Sequence, residues 1–247
     1  MMSAHQGQES LPEGNHEMRE NKKDAVIEVN GKSYQVTIFA IQAQAAYAKS
    51  LIFAAEALVA IKSSQYIWAA IASYYSLFHL SISLMYVLPR LIEPELLASL
   101  VTGRAEGTED PTRLIPHKYL PRFLANCESM GLTVRLRKLL ENAREIREYA
   151  NYRPRSVWQS DRPIFITREF SRADVERIAT SIEPLLSESL LWASRQNELS
   201  GVLSSAAAIS LDWFLNQEDL LYAQWCSPEV LSQAKEMRRK LPGASKS

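Results

Sequence analysis

The chain has 247 residues, 47% of them hydrophobic and 23% charged, with 28 basic residues balanced by 28 acidic ones. That content is enough to bury a real core, and zero net charge excludes a global field that draws nucleic acid or acidic lipid, so any such contact must come from a local patch. Eight glycines argue against a sheet protein with many tight turns and leave no Gly-rich phosphate loop, while Cys127 and Cys226 are too few and too far apart for a disulfide framework or a zinc knuckle.

Residues 1–23 are polar and rich in Gly, Glu and Asn, which predicts a disordered tail with no secretory signal. Residues 24–39 hold two β-prone runs around Asn30-Gly31, a pair suited to a type I′ turn, and predict a small N-terminal β-hairpin. Such a hairpin is marginal alone and needs a bundle or a partner to lie on.

From Ala40 the apolar period becomes helical, predicting one helix to Lys62 and a second from Tyr66 to Leu88, stopped by Pro89. In the second, Ile71, Tyr75, Phe78, Ile82 and Met85 form the expected core stripe. Its serines, tyrosines and His79 are too polar for lipid on all sides, so a buried core helix is expected and no membrane span. A short helix follows Pro94, and residues 102–116 read as a loop. A helix from His117 to Met130 is capped by Gly131, and a long one spans Val134 to Asn151 with Leu136, Leu139, Ala143, Ile146 and Ala150 on its core face. Pro154 is expected to break the chain, and residues 158–167 to be extended. Ser171 and Asp174 form a variant capping box for a helix to about Gln196. Residues 40–200 thus read as an up-and-down, all-α helical bundle. Residues 201–247 read as a C-terminal helical extension, broken near 216–219 and at Pro228, with Trp213 and Trp225 among its apolar residues.

Three segments carry candidate chemistry. In Tyr74-Tyr75-Ser-Leu-Phe78-His79, His79 lies one turn beyond Tyr75 at the margin of the stripe. In Pro116-His117-Lys118-Tyr119, His117 and Lys118 sit at a helix start, where free amides favour an anion. In the long helix, Arg144, Arg147 and Asn151 form a polar stripe beside the core face, followed by Tyr152 and Arg153. From Arg135 to Arg155 seven bases meet three acids, and the interleaved Tyr149 and Tyr152 suit base stacking. The competing account is a solvated helix whose acids neutralise its bases at i, i+3 and i+4.

In this order the segments resemble a HEPN domain, most closely the small prokaryotic subfamily with a Tyr-Tyr-x-x-Phe-His helix, a Lys/His segment and an Arg-x-x-Ala-Asp-Tyr motif, read here as Arg147-Glu-Tyr-Ala150-Asn151-Tyr152. The likeness covers about residues 43–196. It implies a helical bundle that forms a homodimer, with RNA, a nucleotide or a protein partner such as a nucleotidyltransferase as ligand, while the two isolated cysteines predict a reduced, cytoplasmic protein. It implies no metal and no cofactor, and a setting in prokaryotic defence or a toxin–antitoxin pair. Many such proteins are metal-independent ribonucleases, using an arginine followed four to six residues later by a histidine. Arginine holds the scissile phosphate and histidine moves a proton.

This chain departs there: no histidine follows Arg144 or Arg147, and Asn151 stands where the family's aspartate is usual. An amide takes no proton at neutral pH. Three functions stay open on the sequence. One is a noncatalytic module binding through Arg144, Asn151, Tyr152, Arg153, Lys118 and Tyr75. A second is a divergent endoribonuclease using Arg147 with His79 or His117. The third is a structural subunit of a larger complex.

Overall fold

A computed structural model describes residues 26–29, 31–97, 100, 119–157, 171–193, 195 and 226–241. These residues are mostly helical. Two short strands, β1 (Val26–Val29) and β2 (Lys32–Gln35), pair antiparallel, with Val26 opposite Gln35 and Val29 opposite Lys32. Gly31 between them has φ +74°, which glycine adopts without steric cost.

Helix α1 runs Val36–Lys62 and therefore begins earlier than the expected Ala40. The β-branched run Val36-Thr37-Ile38 joins the helix rather than the hairpin. Local β propensity gives way to burial one residue on, where Phe39 is fully inside the core. Helix α1 ends in a Schellman motif: Gln65 N donates to Ala60 O at 2.8 Å and Ser64 N to Ile61 O at 2.9 Å. Ser64 supplies the left-handed residue, φ 58°, with no glycine.

Helix α2 (Tyr66–Val87) returns antiparallel and is the centre of the fold, packing on α1 and on every later helix of the bundle named below except the last. Every residue from Ser76 to Pro89 is buried. A helix apolar nearly all round suits that place, and its serines find partners inside. Ser50 Oγ donates to Ser76 O and Ser76 Oγ to Ser50 O, each at 2.8 Å, and Ser83 Oγ donates to Ala43 O at 2.9 Å. The windows Ile41–Lys62 and Tyr66–Val87 are long and apolar enough to cross a membrane by length and composition, and 78% of the second is buried within the protein.

A 3-10 turn at Pro89–Leu91 stops α2, and residues 94–97 are helical. Helix α3 (Tyr119–Ser129) is closed by Gly131, φ +91°, in a second Schellman motif, with Leu132 N donating to Cys127 O and Gly131 N to Glu128 O, both at 3.0 Å. Helix α4 spans Val134–Val157 and runs through Pro154, which does not break it as expected. Proline removes one amide donor, and that loss is confined to the last turn, three residues from the end. On α4, Leu136, Leu140, Ala143 and Ile146 are buried, while Leu139 and Ala150 are half-buried.

Helix α5 (Arg172–Ala193) opens with the capping box: Asp174 N donates to Ser171 Oγ at 3.2 Å and Ser171 N to Asp174 Oδ2 at 3.1 Å. Helix α6 (Pro228–Lys240) begins with proline at its first position, where a missing N–H costs nothing, and is capped by Ser227. Its Val230, Ala234 and Met237 join the core formed by the other helices, and Lys62 Nζ donates to Gln233 Oε1 at 2.8 Å. The polar tail at 1–23, the loop at 102–116, the extended stretch at 158–167 and the aromatic residues Trp213 and Trp225 lie outside the described residues.

Candidate functional site

The site begins on α2 with two adjacent tyrosines, which a helix points about 100° apart. Tyr74 turns inward and is 1% exposed, whereas Tyr75 is half-buried. The expected core stripe through Ile71 and Tyr75 is therefore displaced: Ile71 and Tyr75 lie at the margin, and Tyr74 fills the core. α2 is enclosed by four other helices, so more than one of its faces is internal and a single stripe misplaces the ring.

Arg147 reaches this pair from α4. Ala143 and Ile146 face the core, so the adjacent Arg147 emerges at the edge of the α2–α4 contact. Its Cζ lies 4.7 Å from the centre of the Tyr74 ring and 5.9 Å from that of Tyr75, and the rings meet edge-on at 5.3 Å. A guanidinium over an aromatic face is attracted by the ring quadrupole, by about 0.5–2 kcal/mol. Burial pushes the Tyr74 hydroxyl up to about 12 against the opposing pull of Arg147, so the phenol stays neutral at physiological pH.

No described acid pairs with Arg147. Among the described residues it forms no ion pair and its Nε is buried without a hydrogen-bond partner. The neighbouring bases differ. Arg137 grips Glu128 with two hydrogen bonds at 2.8 and 3.1 Å and reaches Glu141 at 3.5 Å. Arg135 pairs with Glu188 at 3.3 Å, and Arg144 with Glu148, one turn on, at 3.7 Å. The basic excess of this segment is thus partly neutralised within the fold, and among its described arginines Arg147 is the one without an ion pair.

From Tyr75 the aromatic contacts continue across α2 to α1. Phe53 lies 5.5 Å from Tyr75 and also stacks on His79 at 5.6 Å, the planes within 5° of parallel. His79 also meets Phe78 edge-on at 5.5 Å and is 8% exposed. The structure therefore brings Arg147, Tyr75 and His79 into one ladder, with His79 at its inner end. Arg144 flanks Arg147 on the preceding turn. The α4 backbone carries Asn151, Tyr152 and Arg153 onward, but their side chains, and His117 and Lys118 entirely, lie outside the described residues.

Phe53 and the inward role of Tyr74 are the two members that the sequence reading did not assign. Phe53 carries no motif, and its place depends on the α1–α2 register set by Ser50 and Ser76. Elsewhere, Cys127 and Cys226 are free thiols, buried and half-buried. Burial pushes both up, Cys127 to about 12. Among the described residues no group of three or more His, Cys, Asp or Glu is arranged to hold a metal.

The fold and site define an all-α helical bundle in which an arginine with no ion pair among the described residues lies over two adjacent tyrosines. No protein-family model, curated protein or solved structure matches the chain.

Proposed function

We propose that this chain is a HEPN-like module of a prokaryotic defence or toxin–antitoxin system. In this reading it binds a phosphate of RNA or a nucleotide through Arg147, with Arg144 beside it, and works without the standard catalytic pair. The observation that carries the reading is the guanidinium held over Tyr74 and Tyr75 with no acid among the described residues to neutralise it. A half-buried cation without a counter-ion is costly unless a ligand supplies the charge. The planar fork of five donors matches phosphate better than any other side chain does.

Two features support the noncatalytic form. Asn151 follows Arg144 where a proton carrier is needed, and His79 is enclosed by Phe53 and Phe78. The reading includes a cytoplasmic homodimer, free of membrane and of cofactor, with a nucleotidyltransferase as the class of protein partner. The burial of most of α2 within the bundle favours a water-soluble form. Anisotropy titration of labelled RNA against wild type and Arg147→Ala tests the proposal. Affinity is expected to fall about tenfold or more on substitution, and unchanged affinity removes the site.

A second reading, the divergent endoribonuclease, draws on the ladder itself, because Arg147 and His79 contact one aromatic cluster. Wild-type protein incubated with RNA in EDTA across a range of pH decides it. Cleavage lost in His79→Asn establishes this reading, and intact RNA at every pH eliminates it.

A further inference from the structure

Helices α1 and α2 form a hairpin of unusual composition. Between Glu56 and Glu93 the chain has no acidic residue, and Lys62 and Arg90 are its only lysine and arginine there. The windows Ile41–Lys62 and Tyr66–Val87 hold 22 residues each. At about 1.5 Å per residue each is about 33 Å long, against about 30 Å of bilayer hydrocarbon.

The core helices of water-soluble proteins share such composition, so the internal bonding of the hairpin decides. α2 alone is too polar to meet lipid on all sides, but most of its polar groups turn to α1. Ser76 exchanges two hydrogen bonds with Ser50, and Ser83 Oγ donates to Ala43 O. Tyr75 and His79 pack on Phe53, and Tyr86 meets Phe39. Ser81 Oγ donates to Leu77 O of its own helix. Ser73 and Tyr74 are the exceptions, lying against α4. The turn between the helices also closes on itself, through Gln65 N to Ala60 O and Ser64 N to Ile61 O. The pair can therefore separate from the other helices with these groups still bonded, as hydrocarbon requires. Ala57 and Ala72 pack together between the two, and small residues at the contact suit helices paired in lipid.

The tip of the hairpin already faces outward. Ile67 is 63% and Trp68 46% exposed beside the turn, and Tyr66 and Trp68 are residue types that settle where lipid meets water. We infer that the α1–α2 hairpin is an insertable unit, and that the bundle has a second state in which this hairpin enters a lipid bilayer tip first. Lys49 and Glu56, both half-buried on α1, are the charges that hydrocarbon then has to accept. Their cost there holds the balance toward the water-soluble bundle until a membrane is present. The inference does not use the Arg147 reading. It concerns a second state of the bundle that the reading describes in its water-soluble, membrane-free form.

The test uses the full chain with vesicles of equal parts phosphatidylcholine and phosphatidylglycerol, at neutral and mildly acidic pH. Wild type is expected to float with the vesicles, to resist extraction with alkaline carbonate, and to yield a protease-protected fragment containing residues 41–87. Ile67→Glu and Trp68→Glu place a charge on the leading edge and are each expected to lower the carbonate-resistant fraction about tenfold. Both positions are exposed, so melting curves in water are expected to stay close to wild type. Leu191→Glu, at an exposed apolar position on α5, is expected to insert as wild type does. The inference is overturned if wild type stays in solution at both pH values. It is also overturned if bound protein is stripped by carbonate with no protected hairpin, or if Ile67→Glu and Trp68→Glu insert as wild type does.

Discussion

The guanidinium carbon of Arg147 sits 4.7 Å above the ring of Tyr74, a residue 1% exposed at the centre of the bundle. The contact joins α4 to α2 and is partly desolvated, so it contributes to folding as well as to the site. A double-mutant cycle with Arg147→Met and Tyr74→Leu is expected to return a coupling of about 1 kcal/mol in chemical denaturation. Additive effects of the two changes contradict the contact.

Two buried serines, Ser50 on α1 and Ser73 on α2, are expected to respond differently to loss of the hydroxyl. Ser76 exchanges hydrogen bonds with Ser50 of α1, so Ser50→Ala removes a buried interhelical bond and costs about 1 kcal/mol. Ser73 is 1% exposed and its Oγ has no partner among the described residues. Ser73→Ala removes an unsatisfied hydroxyl and is expected to leave the melting temperature unchanged or higher. A loss as large as that of Ser50→Ala shows that Ser73 is bonded in solution.

The two Schellman turns use different residues for one backbone state. Ser64 adopts φ 58° and Gly131 φ 91°. Ser64→Gly relieves a side chain in the left-handed region and is expected to stabilise by about 0.5–1 kcal/mol. Gly131→Ala is expected to destabilise by about 1 kcal/mol. The added Cβ meets nothing nearer than Trp192 Nε1 at 3.9 Å, so the cost is backbone strain rather than a clash. Equal melting temperatures for Gly131→Ala and wild type contradict that assignment.

Glu56 on α1 gives a pH dependence. Burial raises its carboxyl above the ordinary value, and its Oε2 has no hydrogen-bond partner among the described residues. A raised carboxyl favours the folded state when protonated. Its contribution is therefore full below the ordinary carboxylate value of 4.5 and is lost as pH rises through the higher folded value. Glu56→Gln is expected to melt higher than wild type at pH 7, with the gap closing below about pH 4.5. A gap that does not change with pH shows that the carboxylate is solvated.

Much of this architecture is legible from local pattern. The 3.6-residue period marks α1, α2 and α4, and short-range chemistry marks the capping box at Ser171–Asp174 and the glycine stop at Gly131. The errors arise where a local preference competes with packing. Val36-Thr37-Ile38 favours a strand but precedes a buried phenylalanine, and Pro154 near a helix end costs one bond rather than the helix. Candidate site residues are legible as types, since arginine, tyrosine and histidine at these spacings suggest phosphate and base contacts. Which arginine lacks a counter-ion is not legible. That depends on Glu128 of α3 and Glu188 of α5 reaching Arg137 and Arg135 while none of the described acids reaches Arg147. Phe53 is silent in the sequence for the same reason, because only the packing of α1 on α2 brings it against Tyr75.

The most direct test of the central claim is the salt dependence of RNA binding by wild type and Arg147→Ala, measured side by side with circular dichroism showing equal helix content. If Arg147 neutralises a phosphate, the variant binds more weakly at every salt concentration and its log–log slope is shallower by about 0.7. Superimposed curves of equal affinity and slope contradict the account.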